Sequence, residues 1–256
     1  MPDGLLGLAN PSARQELDAQ LSLILPAYNE ADNLRILLPQ IKQVICDLGI
    51  ATQILVVAAA SPGDDTQQVC EENQVTCIRR RGGESYGWAI RTGVKDSVGE
   101  FIIIMDSDGS HNPDFIRELW GKRDHADIVI ASRYIPGGAT DNPWVLVGLS
   151  KVLNLVFKVF VGLPVYDVSN SFRLYRGKLL RELELSSLNF DVLEEILAKL
   201  IWGSHSETIR VLELPFHFEK RKYGKPKRKL IVFGIHFLRA IIRLRQLKLT
   251  YFVSGK

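Results

Sequence analysis

An α/β fold with a mostly parallel central sheet flanked by helices is what this sequence predicts, on three observations. Short apolar, partly β-branched runs recur through the first half of the chain, separated by amphipathic or glycine-led helical segments. Several of these runs end in acids or turn residues, as strands do where an open sheet carries its ligand chemistry. The composition, 46% apolar and 24% charged over 256 residues, suits a folded chain long enough for one large domain or a domain with a substantial appendage.

The elements follow in order. "LSLILP" (21–26) is the first strand. Residues 30–48 form a helix with Leu34, Leu37, Leu38, Ile41, Val44 and Leu48 on one face, and Pro39 interrupts its regularity. "ILVVAAA" (54–60) is the second strand and runs into the Ser61-Pro62-Gly63 turn. A short helix near 64–73 and a strand at 75–79 come next. A glycine-containing loop (82–87) leads to a helix at 87–97 and the strand "EFIIIM" (100–105). "DIVIAS" (127–132) is a further buried strand. Such alternation requires crossover helices between parallel strands.

The second half differs. Residues 145–161 are apolar apart from a narrow stripe of Ser150 or Lys151, Asn154 and Lys158. Residues 230–247 repeat the design with His236, Arg239, Arg243 and Gln246. Each reads as a helix with a wide apolar face and a thin polar edge. The protein core, a membrane interface or another subunit would each cover such a face. Two of them in one chain, the second preceded by seven basic residues within Lys220–Lys229, add weight to the interface. The expected division is a catalytic domain over 1–229, including the helix at about 143–161, and a membrane- or partner-facing helical segment over 230–256.

Net charge is only +3, so charge distribution says more than total. The basic cluster lacks stacking aromatics beyond Tyr223, which argues against nucleic acid. Cys46, Cys70 and Cys77 have no metal-like spacing and read as core thiols of a reducing compartment. The N-terminus shows no basic stretch before an apolar core, and no run of 18 uncharged apolar residues occurs. The expected location is cytoplasmic, with peripheral attachment to the cytoplasmic face of a membrane.

The strongest chemical signal is "IIIMDSDGSHNP" (102–113), where a buried strand ends directly in Asp106-Ser107-Asp108. Two carboxylates so placed can converge on a hard divalent cation that bridges phosphate oxygens, or can simply end the strand in an acidic turn. Around it the chain resembles the family 2 glycosyltransferases, in particular the dolichyl- and polyprenyl-phosphate mannose and glucose synthases. "LPAYNE" (25–30), "GWAIRTGV" (87–94), "MDSDGSHNP", "IASRY" with "PGG", "DVSNSFRLYR" (167–176) and "RKYGKPK" (221–227) match in the expected order, over roughly residues 21–229.

The resemblance implies a GT-A type fold and inverting transfer of a sugar from a nucleotide-diphospho-sugar to a lipid phosphate. Asp106 and Asp108 would hold Mg²⁺ or Mn²⁺, with Ser110 where some relatives place a third ligand. Pro26, Ala27, Tyr28, Glu30, Val57, Ala58, Ala59, Asp65 and Ser107 fall on the donor side, and Arg221 and Lys227 on the basic loop that folds over the diphosphate. Arg133 would contact the acceptor phosphate, the alternative being an ion pair that caps the sheet. Ser150, Lys151 and Arg173 complete the acceptor side; Arg173 and Glu195 could equally be architectural.

The departure lies at Ala58-Ala59-Ala60, where the family carries one or two aspartates and often a glycine. Backbone recognition helped by Asp64 or Asp65, an atypical donor, or loss of donor binding would each account for it. The metal pair, arginine and basic loop are retained together, which favours an active enzyme. A lost hydrogen bond to a charged group costs about 1.5–3 kcal/mol, roughly 10- to 100-fold in affinity. The competing functions are transfer to a glycan, another lipid or a small molecule, and a catalytically weak protein that docks on membranes.

Overall fold

The computed structural model describes residues 19–61, 63–203, 208–221 and 240–249. Its elements are β1 (Leu21–Pro26), α1 (Ala31–Leu48), β2 (Thr52–Ala58), α2 (Thr66–Glu72), β3 (Thr76–Arg79), α3 (Tyr86–Asp96), β4 (Phe101–Ile104) and α4 (Phe115–Gly121). Then come β5 (Ile128–Ser132), β6 (Ala139–Thr140), α5 (Trp144–Val156), β7 (Arg173–Arg176), α6 (Gly177–Arg181), α7 (Val192–Gly203), β8 (Val211–Pro215) and β9 (His217–Phe218).

Seven strands form the main sheet in the order β3-β2-β1-β4-β7-β5-β8, and β6 pairs with β9 beside it. All main-sheet pairings are parallel except those of β7 with β4 and β5. The period-two rule explains the layering. Leu21, Leu23, Leu25, Phe101 and Ile103 face one core with Leu34, Leu38 and Ile41 of α1 and Leu119 of α4. Ile24, Ile102, Ile104, Ile128 and Ile130 face the other, with Ala89, Ile90 and Val94 of α3 and Ile196 and Leu197 of α7. Pro39 is carried inside α1, where five buried apolar residues between Leu34 and Val44 outweigh one missing hydrogen bond.

Two glycines explain how α3 sits so close to the sheet end. A Cβ at Gly93 would lie 2.5 Å from Ile24 Cγ2, and one at Gly87 would lie 2.4 Å from the Ser187 carbonyl oxygen. Gly87 instead donates its amide to the Leu188 carbonyl at 2.8 Å.

Several expectations change. The second strand stops at Ala58 rather than residue 60, because the Ala60 and Ser61 amides are bonded to a side chain. Strand β7, strand β8 and helix α7 were not expected at all. Helix α5 begins at Trp144 and passes into a π-helical turn over Phe157–Val161, closed by Gly162 at φ 78°. Trp144–Val161 is long and apolar enough to cross a membrane by length and composition, with mean hydropathy 1.8. Counting uncharged runs missed it because Lys151 and Lys158 interrupt it.

The burial of α5 is inverted. Asn154 is buried and accepts the Val168 amide at 3.2 Å, whereas Trp144, Val145, Val152, Leu155, Val159 and Phe160 are all more than half exposed. Of the expected C-terminal helix, residues 240–249 are described; His236 and Arg239 lie outside the described residues. Ala240 and Leu244 enter the second core, and Arg243 pairs with Asp191 at 3.0 Å. Cys46 is exposed, so it is not a core thiol, while Cys70 is buried.

Candidate donor and metal site

The end of β4 sets the site. The Met105 amide still bonds the Ile24 carbonyl at 3.0 Å, after which the chain turns through Asp106-Ser107-Asp108. Ser107 points inward, is buried and donates to the Pro26 carbonyl at 2.7 Å. Its expected donor contact is therefore not available through the hydroxyl. Asp106 accepts a hydrogen bond from the Tyr86 hydroxyl at 3.0 Å. Asp108 accepts the Ser110 amide at 3.0 Å and also the Ser110 hydroxyl.

Arg221 closes this cluster. Its guanidinium forks onto both oxygens of Glu30, the shortest contact being 3.1 Å, and reaches Asp108 Oδ2 at 3.2 Å. Asn33 donates to the same Glu30 carboxylate at 2.7 Å. Burial pushes the Asp108 carboxyl up, but the Ser110 hydroxyl and the charge of Arg221 bring it below its usual range. Asp108 is thus ionised at neutral pH.

His111 anchors the turn. Its Nδ1 accepts the Asp106 amide at 3.0 Å, so the proton sits on Nε2 and is shared with Asn170 Oδ1 at 3.0 Å. Burial lowers its pKa and keeps the ring neutral. Asn170 passes the link on to the Ala131 carbonyl at 2.6 Å, which ties the end of β4 to that of β5.

The donor set fits a hard divalent cation. Asp106 and Asp108 offer carboxylate oxygens at one strand end, and both nitrogens of the nearby His111 are spent internally. Among the described residues no cluster of three or more His, Cys, Asp or Glu that could hold a metal forms. Ser110, expected as a third ligand, is buried and donates to Asp108 instead; it positions that carboxylate.

At the ends of β1 and β2 the structure adds a residue that sequence reasoning missed. Arg80 is buried, and its guanidinium bonds the carbonyls of Ala27, Ala58 (3.1 Å) and Glu84 (2.7 Å). It also lies 5.6 Å from the ring centroid of Tyr28, which is half exposed at the rim. The run "RRRGGE" was the available signal, but nothing local tells which of three arginines turns inward.

A cavity of about 220 Å³ opens beside β2, lined by Ala58, Ala59, Asn29, Asp64, Gln67 and Arg79 among others. Asp64 lines this cavity, with Oδ2 accepting the Ala31 amide at 2.8 Å and Oδ1 the Thr66 amide at 3.1 Å. Asp65 is largely exposed and pairs with Arg35 at 3.5 Å. Pro26 and Val57 are buried, and their carbonyls accept the Ser107 hydroxyl at 2.7 Å and the Ala27 amide at 3.0 Å.

On the far side, Arg133 follows β5. Its Nε and Nη2 bond both oxygens of Asp167 at 2.8 Å, its own amide bonds Asp167 at 3.0 Å, and Nη2 also reaches Ser169 at 2.9 Å. The pairing capping the sheet is therefore present, and it leaves only the outer edge of the guanidinium for a ligand. Glu213 of β8 holds the Tyr166 and Asp167 amides at 2.8 and 3.1 Å. Arg173, expected beside the acceptor, is instead fully buried and bonds the Val168 carbonyl at 2.6 Å and the Leu193 carbonyl at 3.3 Å. It supports the Asp167 loop from behind. Glu195 is likewise architectural, accepting the Ser187 amide at 2.7 Å and pairing with Lys199 at 2.8 Å. Ser150 is half-buried and Lys151 exposed on α5, and Lys227 lies outside the described residues.

Comparison with known proteins places the chain in a family and a fold. The Glycosyl transferase family 2 profile matches residues 22–184. Polyprenol monophosphomannose synthase of Mycolicibacterium smegmatis is 29% identical, over 80% of this chain and 79% of that protein. Dolichol-phosphate mannosyltransferase of Pyrococcus furiosus is 32% identical over 88% of this chain, which spans only 63% of that protein. Among solved structures, glucosyl-3-phosphoglycerate synthase of Mycobacterium tuberculosis, in complex with Mn²⁺, UDP-glucose and phosphoglyceric acid, superposes with a TM-score of 0.68 at 15% identity. That match covers 96% of this chain and 86% of the other. The same enzyme with Mg²⁺ and UDP gives a TM-score of 0.66, also at 15% identity, over 91% of this chain and 82% of the other.

Proposed function

Because the chain belongs to glycosyl transferase family 2 and is a glycosyltransferase of the GT-A fold, we propose that it moves a sugar from a nucleotide-diphospho-sugar to a polyprenyl phosphate. The observation that carries this reading is that Arg221 joins Glu30, just past β1, to Asp108, just past β4, beside Asp106 in the same strand-end turn. Similarity to two polyprenol- and dolichol-phosphate enzymes supports the acceptor class.

Asp106 and Asp108 would hold Mg²⁺ or Mn²⁺, which when bound offsets the charge that develops on the departing diphosphate. Tyr86 and Ser110 fix the two carboxylates, so their geometry does not have to be organised during the reaction. Arg221, braced on Glu30, adds a fixed cation at the same place, and Lys227 adds a further positive charge six residues on in the sequence. An acceptor phosphate monoester is already anionic, so the chain needs no strong general base for it. Its task is positioning, which falls to the outer edge of Arg133 and to Ser150 and Lys151 on α5.

The exposed apolar face of α5 suits the interface of a membrane, where a polyprenyl chain resides. The Lys220–Lys229 stretch adds attraction to anionic lipid. The protein then works peripherally on the cytoplasmic face, alone, as a homo-oligomer or beside a membrane subunit. Incubation with radiolabelled nucleotide-sugars, polyprenyl phosphate and Mn²⁺ tests the assignment. A butanol-soluble product is expected. A water-soluble product would move the acceptor to another class, and liposome binding without turnover would leave a docking protein.

A further inference from the structure

We propose that Glu84, in the loop between β3 and α3, fixes the backbone just past the end of β2 and so shapes the nucleoside end of the donor site. The proposal rests on the donor-binding reading above and assigns a positioning residue to it. Strand β2 ends in Ala58-Ala59-Ala60, none of which can accept a hydrogen bond through its side chain. Two successive amides beyond it, Ala60 and Ser61, both donate to Glu84, at 3.1 Å to Oε2 and 2.9 Å to Oε1. A carboxylate that accepts two adjacent backbone amides fixes their orientation, and charge makes such bonds about twice as strong as neutral ones.

Arg80 holds the same stretch from the other direction. It binds the Ala58 carbonyl at 3.1 Å while another of its nitrogens binds the Glu84 carbonyl at 2.7 Å. Residues 58–61 are therefore bracketed, carbonyl by Arg80 and amides by Glu84. Ala58 and Ala59 form a wall of the cavity beside β2, so the bracket sets that wall.

The test uses the full-length protein, Mn²⁺ and a nucleoside diphosphate in calorimetry, followed by steady-state kinetics. Removing one charged acceptor for two amides should weaken nucleoside diphosphate binding about tenfold in Glu84→Ala. Glu84→Gln, which keeps the size and one acceptor, should fall between. Donor KM should rise while acceptor KM holds, a split that general loss of structure would not produce. An aspartate can accept the amide two residues ahead of it, so Ala59→Asp added to Glu84→Ala should recover binding to within about threefold of wild type. Unchanged affinity in Glu84→Ala, or no recovery in the double variant, would overturn the proposal while the donor reading stands. Absence of binding in the wild-type protein would instead overturn the donor reading and the proposal with it.

Discussion

Arg221 and Asp108 lie in an ion pair of 3.2 Å, with the same guanidinium forked onto Glu30. This one contact joins the strand-end acids to the start of the basic stretch, which enters 113 residues later in the chain. If Asp108 is part of the cation-holding pair, Asp108→Asn should lower kcat by on the order of 10²–10³-fold and erase the response to added Mn²⁺. Arg221→Lys keeps the charge but not the fork, so donor KM should rise with a smaller change in kcat. Initial-rate titrations with Mn²⁺ and donor check both.

Arg133 and Asp167 form the most enclosed ion pair of the site, their side chains 9% and 0% exposed. Asp167→Asn leaves the guanidinium without its charge partner and should cost about 3–5 kcal/mol in a denaturant melt. Replacing both residues with apolar ones should cost less stability than that single change, yet still impair transfer if Arg133 positions the acceptor phosphate.

Glu195 makes a pH prediction. Burial raises its carboxyl, but Lys199 and the Ser187 and Ser186 groups more than offset this and bring it to about 2, from an ordinary 4.5. A carboxylate depressed on folding stabilises the protein above its unfolded pKa and ceases to do so as pH falls through the folded value. The shift corresponds to about 3 kcal/mol, lost between about pH 4.5 and pH 2. Glu195→Gln should therefore be less stable than wild type at pH 7 and show a flatter acid limb. Stability measured against pH by chemical denaturation gives the comparison.

Exposure on α5 predicts a surface effect separate from catalysis. Trp144, Val152 and Val159 are 84%, 60% and 65% exposed, so replacing them with serine removes little internal packing. Binding to anionic liposomes in flotation should fall by about tenfold or more for the triple variant, at roughly 25 cal/mol for each Å² no longer inserted. The melting temperature should stay within a few degrees. Equal flotation of variant and wild type would remove α5 as the docking surface.

The parts of the fold visible in the sequence were those written in local patterns. Strand β4 shows as an unbroken apolar run, and β1 as one interrupted only by Ser22, because both faces are buried. The acids after β4 were visible because they follow such a run at once. Strand β7 was not, since "RLYR" carries an arginine at each end. Arg173 is buried all the same, its charge dispersed over backbone carbonyls that no local pattern reveals. The same limit hid the partner of Arg133, which comes from 34 residues away, and the link from Glu84 to Ala60, 24 residues back. Residue types announced the site's chemistry; long-range hydrogen bonds decided which side chains face it.

Whether this site binds a nucleotide-sugar despite the alanines at the end of β2 decides its function. Calorimetric titration of a nucleoside diphosphate into the protein, with and without Mn²⁺, tests it most directly. Saturable binding at millimolar or lower concentration that requires Mn²⁺ and disappears in Asp106→Asn is expected. No heat of binding from any nucleoside diphosphate at millimolar concentration with Mn²⁺ would contradict it.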